Sequence, residues 1–180
     1  MRNAFKYLSQ YSTTPKDVDR LIISAFLEIN KLKPKKNNLL KAYSINSKNK
    51  EEHSSLLEFE SAIYSDTKVF GFEELIELFE FVISPADRII NGAIYTPQNI
   101  RTFIVLEAFK KINAIDDSIK ISDIAMGCGG FLFNASIEIK KRTDKTYSEI
   151  FKNHIFGLDI QKYSVNRAKL LLSLLALQSG

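Results

Sequence analysis

Cysteine is nearly missing from this chain: a single residue, Cys128, stands among 180. That excludes an internal disulfide framework and a cysteine-rich zinc site, and it points to a reducing, cytoplasmic setting. Histidine is almost as sparse. His53 and His154 share no metal-ligand spacing with each other or with Cys128, so no metal is expected and both read as surface or turn residues. No charged-then-apolar leader opens the sequence. The longest strongly apolar tract, LLLSLLAL at 170–177, is far below the roughly 20 residues a spanning helix needs, so no membrane segment is expected. Charge of one sign is modest too: a net +4 and a pI near 9.0 permit a nucleic-acid partner without requiring one. What the chain does have is 45% hydrophobic residues, enough for a buried core.

Only four prolines punctuate the chain, and each marks a boundary. Pro15 at a first helical position, with Thr14 as N-cap and Asp17 in the first turn, opens a helix whose apolar residues recur at Val18, Leu21, Ile22, Ala25, Phe26, Ile29 and Leu32. From Lys33 to Lys50, Pro34 and scattered Asn, Ser and Lys predict a loop with one short element around Leu39 to Ile45. Two acidic helices follow, near 51–64 and 72–82, and Pro85, Gly92 and Pro97 then interrupt. Pro97 opens a helix carrying Ile100, Ile104, Leu106 and Phe109. Beyond it, SIKISDIAM reads as a buried strand, 131–141 as a helix, RTDKTYSE as a polar turn, HIFGLDI as a second strand, and 161–177 as a last helix. The expected fold class is α/β. An all-helical N-terminal domain spans 1–85, and a β-α-β unit with two parallel strands follows over 86–180.

Glycine is scarce at seven residues, yet Gly127, Gly129 and Gly130 crowd into four positions between the first strand and a helix. A strand that ends in an acidic residue, Asp123, and turns through glycines into a helix N-terminus lets a small polar ligand approach main-chain N–H groups. The dinucleotide fingerprint G-x-G-x-x-G fails, because its third glycine position holds Leu132 and the next strand-end carboxylate, Asp159, comes 36 residues after Asp123. Each residue also has a plainer reading: Asp159 as a turn cap, Tyr95 as a core aromatic. Cys128 has no evident base beside it and does not read as a nucleophile.

Taken in order, GAIYTP at 92–97, DIAMGCGGFL at 123–132 and GLDI at 157–160 closely resemble three motifs of the amino-group DNA methyltransferases. The resemblance is to the adenine-N6 type found in type I modification subunits and in fused restriction-modification enzymes. It implies a Rossmann-like class I methyltransferase domain beginning near 86 and S-adenosylmethionine as cofactor. On that resemblance Gly127, Gly129 and Phe131 border the methionine part, and Asp123 orients its amino group. Asp159 accepts hydrogen bonds from both ribose hydroxyls, Ile160 packs on the adenine face, and Tyr95 and Thr96 close the site. The implied partners are double-stranded DNA and a specificity subunit or fused specificity or nuclease domains. Ile124, Met126 and Cys128 stand where the family usually has Pro, Cys and Ser. Lys31, Lys33, Lys35, Lys36 and Lys41 form a cluster of the kind that meets DNA phosphates, while a solvated linker face is the simpler reading.

The family's chemistry needs an Asn-Pro-Pro-aromatic segment to hold the amino group of a flipped base, and none occurs in these 180 residues. No catalytic residue is therefore assigned. The last helix, apolar nearly all round, is expected to need burial that two strands do not offer. On both grounds the chain is expected to be an N-terminal piece of a longer methyltransferase and inactive alone. The alternative is a non-catalytic helical interaction module with a scaffolding α/β part.

Overall fold

The computed structural model describes residues 1–34, 36–46, 48–82 and 96–179. The chain divides into two compact units, Met1–Gly92 and Ala93–Gly180. The expected domain boundary at 85/86 lies outside the described residues.

The first unit is helical: α1 (Arg2–Tyr11), α2 (Pro15–Ile29), α3 (Asn38–Ala42), α4 (Lys50–Asp66) and α5 (Phe72–Phe81). Its centre is α2, which starts at Thr14 and Pro15 as the sequence predicts. Leu21, Ile22, Ile23, Ala25 and Phe26 are fully buried there, so its apolar face is wider than one stripe. The Phe26 ring lies 5.6 Å from that of Phe70 and 5.1 Å from that of Phe72. Arg20 grips Glu52 of α4 through two 3.0 Å bonds, a fork geometry that matches a carboxylate. The sequence reading leaves α1 unassigned, although Ala4, Phe5, Leu8 and Tyr11 recur at helical spacing. That helix is held by Asp66, which accepts from the Ala4 N–H at 2.9 Å, and by Phe5 stacked on Phe81 at 4.1 Å.

The second unit runs α6 (Gln98–Lys110), β1 (Ile121–Asp123), α7 (Gly130–Arg142), α8 (Tyr147–Asn153), β2 (Ile155–Gly157) and α9 (Lys162–Gln178). β1 and β2 pair in parallel, Ile121 opposite Ile155 and Asp123 opposite Gly157, as expected of a β-α-β unit, although each strand is only three residues long. The unit's core gathers Val105, Phe109, Met126, Leu132, Ala135, Ile139, Ile150, Ile155 and Ala168.

Four expectations change. The polar stretch RTDKTYSE is in part a helix, α8, because Thr146 and Glu149 form a reciprocal capping box that satisfies two otherwise orphaned N–H groups. On α6 the inward stripe is Arg101, Val105 and Phe109, while Ile100, Ile104 and Leu106 are exposed. His154 is fully buried, not a surface residue; it is held through Nδ1, 2.8 Å from the Ile119 carbonyl. Finally, Leu170, Leu171, Leu174 and Leu175 of α9 are buried, so the burial this helix requires is met and does not by itself indicate further strands. No helix among the described residues is long and apolar enough to cross a membrane.

Candidate functional site

Two parallel strands end side by side, and the candidate site is built at their C-terminal ends. Past the last paired residues, the Leu158 N–H donates to the Asp123 carbonyl at 2.9 Å and the Met126 N–H donates to the Leu158 carbonyl at 3.1 Å. The glycine loop is thereby laced to the end of β2. Asp123 turns its side chain back on the loop, Oδ1 accepting from the Ala125 N–H at 3.1 Å, the hydrogen bond of an Asx turn. Asp159 reaches across: its Oδ2 accepts from the Gly127 N–H at 2.9 Å and its Oδ1 from the Gln161 N–H at 2.8 Å. A carboxylate oxygen offers two lone pairs, so each oxygen of Asp159 keeps acceptor capacity beyond these bonds.

The glycines meet two separate demands. Gly127 at φ 53° and Gly129 at φ 87° occupy the left-handed region, where a side chain is penalised. The Gly129 N–H closes the turn on the Met126 carbonyl at 2.8 Å, and the Phe133 N–H on the Gly129 carbonyl, also 2.8 Å, starts α7. Space is the second demand. A Cβ on Gly129 would sit 2.9 Å from Ala168 Cβ in α9, and one on Gly130 would sit 3.1 Å from Cδ and Nη1 of Arg101. Gly157 lies under the Met126 sulfur, and a Cβ there would be 2.7 Å from Leu132 Cδ1. The sequence motif suggests that this bare backbone is kept clear for a ligand. At Gly129 and Gly130 the chain's own Ala168 and Arg101 fill it.

Asp123, Gly127, Gly129 and Asp159 lie together at the strand ends, with Phe131 half-buried in the first turn of α7. Ile160 projects beside Asp159 at 85% exposure, and Ile124 and Leu158 are also exposed, leaving an apolar surface next to the two carboxylates. Thr96 is half-buried and precedes Pro97, the N-cap of α6. Tyr95 lies outside the described residues. Cys128 is buried. Lys31, Lys33, Lys36 and Lys41 are exposed in the helical unit, and Lys35 lies outside the described residues.

Sequence reasoning missed Arg101 and Asn134. Arg101, 3% exposed, donates from Nε to Asn134 Oδ1 at 3.4 Å, and Asn134 Nδ2 donates to Thr102 Oγ1 at 3.0 Å. These bonds fix the start of α6 to the second turn of α7. The available signal was a cation at i, i+4 spacing on the stripe shared with Val105 and Phe109.

No curated protein and no solved structure matches the chain. A family model described as N-6 DNA Methylase matches residues 73–177, a span that contains both strands, the glycine loop and Asp159. With more than half of its length in that match, and with the loop geometry described above, the chain belongs to the N-6 DNA methylase family.

Proposed function

We propose that the site at the strand ends binds S-adenosylmethionine, and that the full-length protein transfers its methyl group to the N6 amino group of adenine in duplex DNA within a restriction-modification system. The observation that carries this reading is the Asp159 carboxylate, anchored by the N–H groups of Gly127 and Gln161 with acceptor capacity left for a vicinal diol. The residues present fit the cofactor. Asp159 accepts from the ribose hydroxyls, and the exposed Ile160 covers the adenine face. Asp123 and the loop through Gly127 and Gly129 border the methionine end, with Phe131 and Thr96 completing the described site; Tyr95 is assigned to it by its motif alone. When bound, this cofactor supplies an electrophilic methyl carbon on a sulfonium.

The chain's own part is to bind and orient. Nothing in the 180 residues matches the Asn-Pro-Pro-aromatic segment that grips a target amino group, so base handling is assigned to a further part of the protein, and these residues alone are expected to be silent in catalysis. The family match at 73–177 supports the methylase reading; adenine and the restriction-modification setting rest on the order YTP, DIAMGCGGF, GLDI. Duplex DNA, and a specificity subunit or fused specificity or nuclease domains, are the partners this reading requires. Titration calorimetry tests the cofactor site. In the full-length protein Asp159→Ala is expected to weaken S-adenosylmethionine binding by about 1–3 kcal/mol, the range for lost charged hydrogen bonds, and unchanged affinity would remove Asp159 from the site.

A further inference from the structure

Arg101 is a guanidinium at 3% exposure, a charge that is kept inside a fold where it is paired and hydrogen-bonded. It lies against Gly130, the first residue of α7, which is the positive end of that helix's dipole and disfavours a cation. What the guanidinium adds is a rigid planar group with several donors. Its Nε bonds Asn134 Oδ1 at 3.4 Å, while its Cδ and Nη1 lie 3.1 Å from where a Gly130 Cβ would be. Asn134 in turn binds Thr102 Oγ1, and the Arg101 N–H donates to the Pro97 carbonyl at 2.9 Å. The bond to Pro97 is α6's own main-chain bond; what the side chain adds is a tie from the start of α6, directly after the Thr96–Pro97 turn, to Gly130 and Asn134 of α7, 33 positions away at the Arg101–Asn134 bond.

We infer that Arg101 is a positioning residue for the amino-acid end of the ligand: it sets the spacing between the Thr96–Pro97 turn and the main-chain N–H groups of the glycine loop. The inference rests on the S-adenosylmethionine reading above. It also explains Gly130, which admits the guanidinium and needs no unusual backbone conformation, since positive φ among the described glycines is confined to Gly127 and Gly129.

The test compares two ligands in the full-length protein: S-adenosylmethionine, and methylthioadenosine, which keeps the adenosine and lacks the amino-acid end. Arg101→Met is expected to weaken S-adenosylmethionine at least tenfold while leaving methylthioadenosine within twofold. Arg101→Lys should recover part of the loss. Gly130→Ala, which shifts the guanidinium without removing it, should give a smaller loss with the same selectivity, and it keeps the test available where Arg101→Met does not fold. Equal loss for both ligands, parallel to a fall in melting temperature, would make Arg101 a structural brace only and overturn the inference. So would unchanged binding of both ligands in Arg101→Met and Gly130→Ala. Wild-type protein that binds neither ligand would instead overturn the cofactor reading itself.

Discussion

Single atoms decide much of this structure, and Gly129 is the clearest case. It combines a φ of 87° with a Cβ position 2.9 Å from Ala168 Cβ, so Gly129→Ala adds both backbone strain and overpacking. Each costs on the order of 1–3 kcal/mol, and a loss of about 2–4 kcal/mol is expected in urea denaturation. Adding Ala168→Gly should recover some of the packing part, since the Cα of residue 168 still lies 3.2 Å from the new Cβ, and leave the backbone part. Glu60 presents the opposite case, a residue the fold tolerates at some expense. Burial, and then the Glu28 carboxylate, push its carboxyl above the ordinary range against a smaller pull from His53, and its Oε1 is buried without a hydrogen-bond partner among the described residues. A pKa raised in the folded state means that folding holds the proton. The penalty is therefore absent below the unfolded pKa and grows as pH rises through the folded one. Glu60→Gln should stabilise the chain at pH 7 by about 0.5 kcal/mol, a figure discounted for partial exposure, and the gain should vanish near pH 3.5 in matched denaturation curves.

Elements were legible where their signals are local. Pro15, Thr14 and the spacing of Leu21, Ile22, Ala25 and Phe26 announce α2, and the glycines announce the start of α7, because cap and apolar stripe lie within a few turns of each other. The first helix was missed although Ala4, Phe5, Leu8 and Tyr11 stand at helical spacing, because no side-chain cap marks its start and its anchors, Asp66 and Phe81, are remote in sequence. The helix α8 carried its signal in Thr146 and Glu149, but a seven-residue element inside a polar stretch is easily taken for a turn. At the site the same rule holds. Asp123, Gly127 and Asp159 sit within recognisable motifs, whereas the partner that gives Arg101 its meaning is Gly130, far along the chain. The anchoring of α1 yields a pH prediction. Burial pushes Asp66 up, but the N–H groups of Ala4 and Asn3, the N-terminal ammonium and the Asn3 amide outweigh it and hold the carboxyl below its ordinary range. A depressed pKa contributes stability above the unfolded value, near 3.9 for Asp, and loses it as pH falls through the folded one. Amide hydrogen exchange should show α1 losing protection between about pH 4 and pH 2 ahead of α2, and Asp66→Asn should remove that pH dependence. Protection that falls in both helices together would assign the acid sensitivity elsewhere.

Across the whole molecule, the first 92 residues carry as many Lys and Arg as Asp and Glu, so the net +4 belongs to Ala93–Gly180. The exposed Lys31, Lys33, Lys36 and Lys41 therefore belong to an electrically balanced unit. If they meet DNA phosphates, replacing them with Gln in the full-length protein should make the slope of log affinity against log salt shallower by about 0.9 for each phosphate no longer neutralised, with the preferred sequence unchanged. An unaltered slope would assign them to a solvated loop. The central claim is that the strand-end site holds the methyl donor of a DNA methylase, and its most direct test is transfer of labelled methyl groups from S-adenosylmethionine to mixed-sequence duplex DNA. The modified base is then identified by mass spectrometry, with full-length protein, its Asp159→Ala variant and the 180-residue chain compared side by side. The account predicts N6-methyladenine from the full-length protein, a strongly reduced yield from Asp159→Ala, and none from the 180 residues alone. N4-methylcytosine would contradict the base assignment, and wild-type activity in Asp159→Ala or no methyl transfer by the full-length protein would contradict the site.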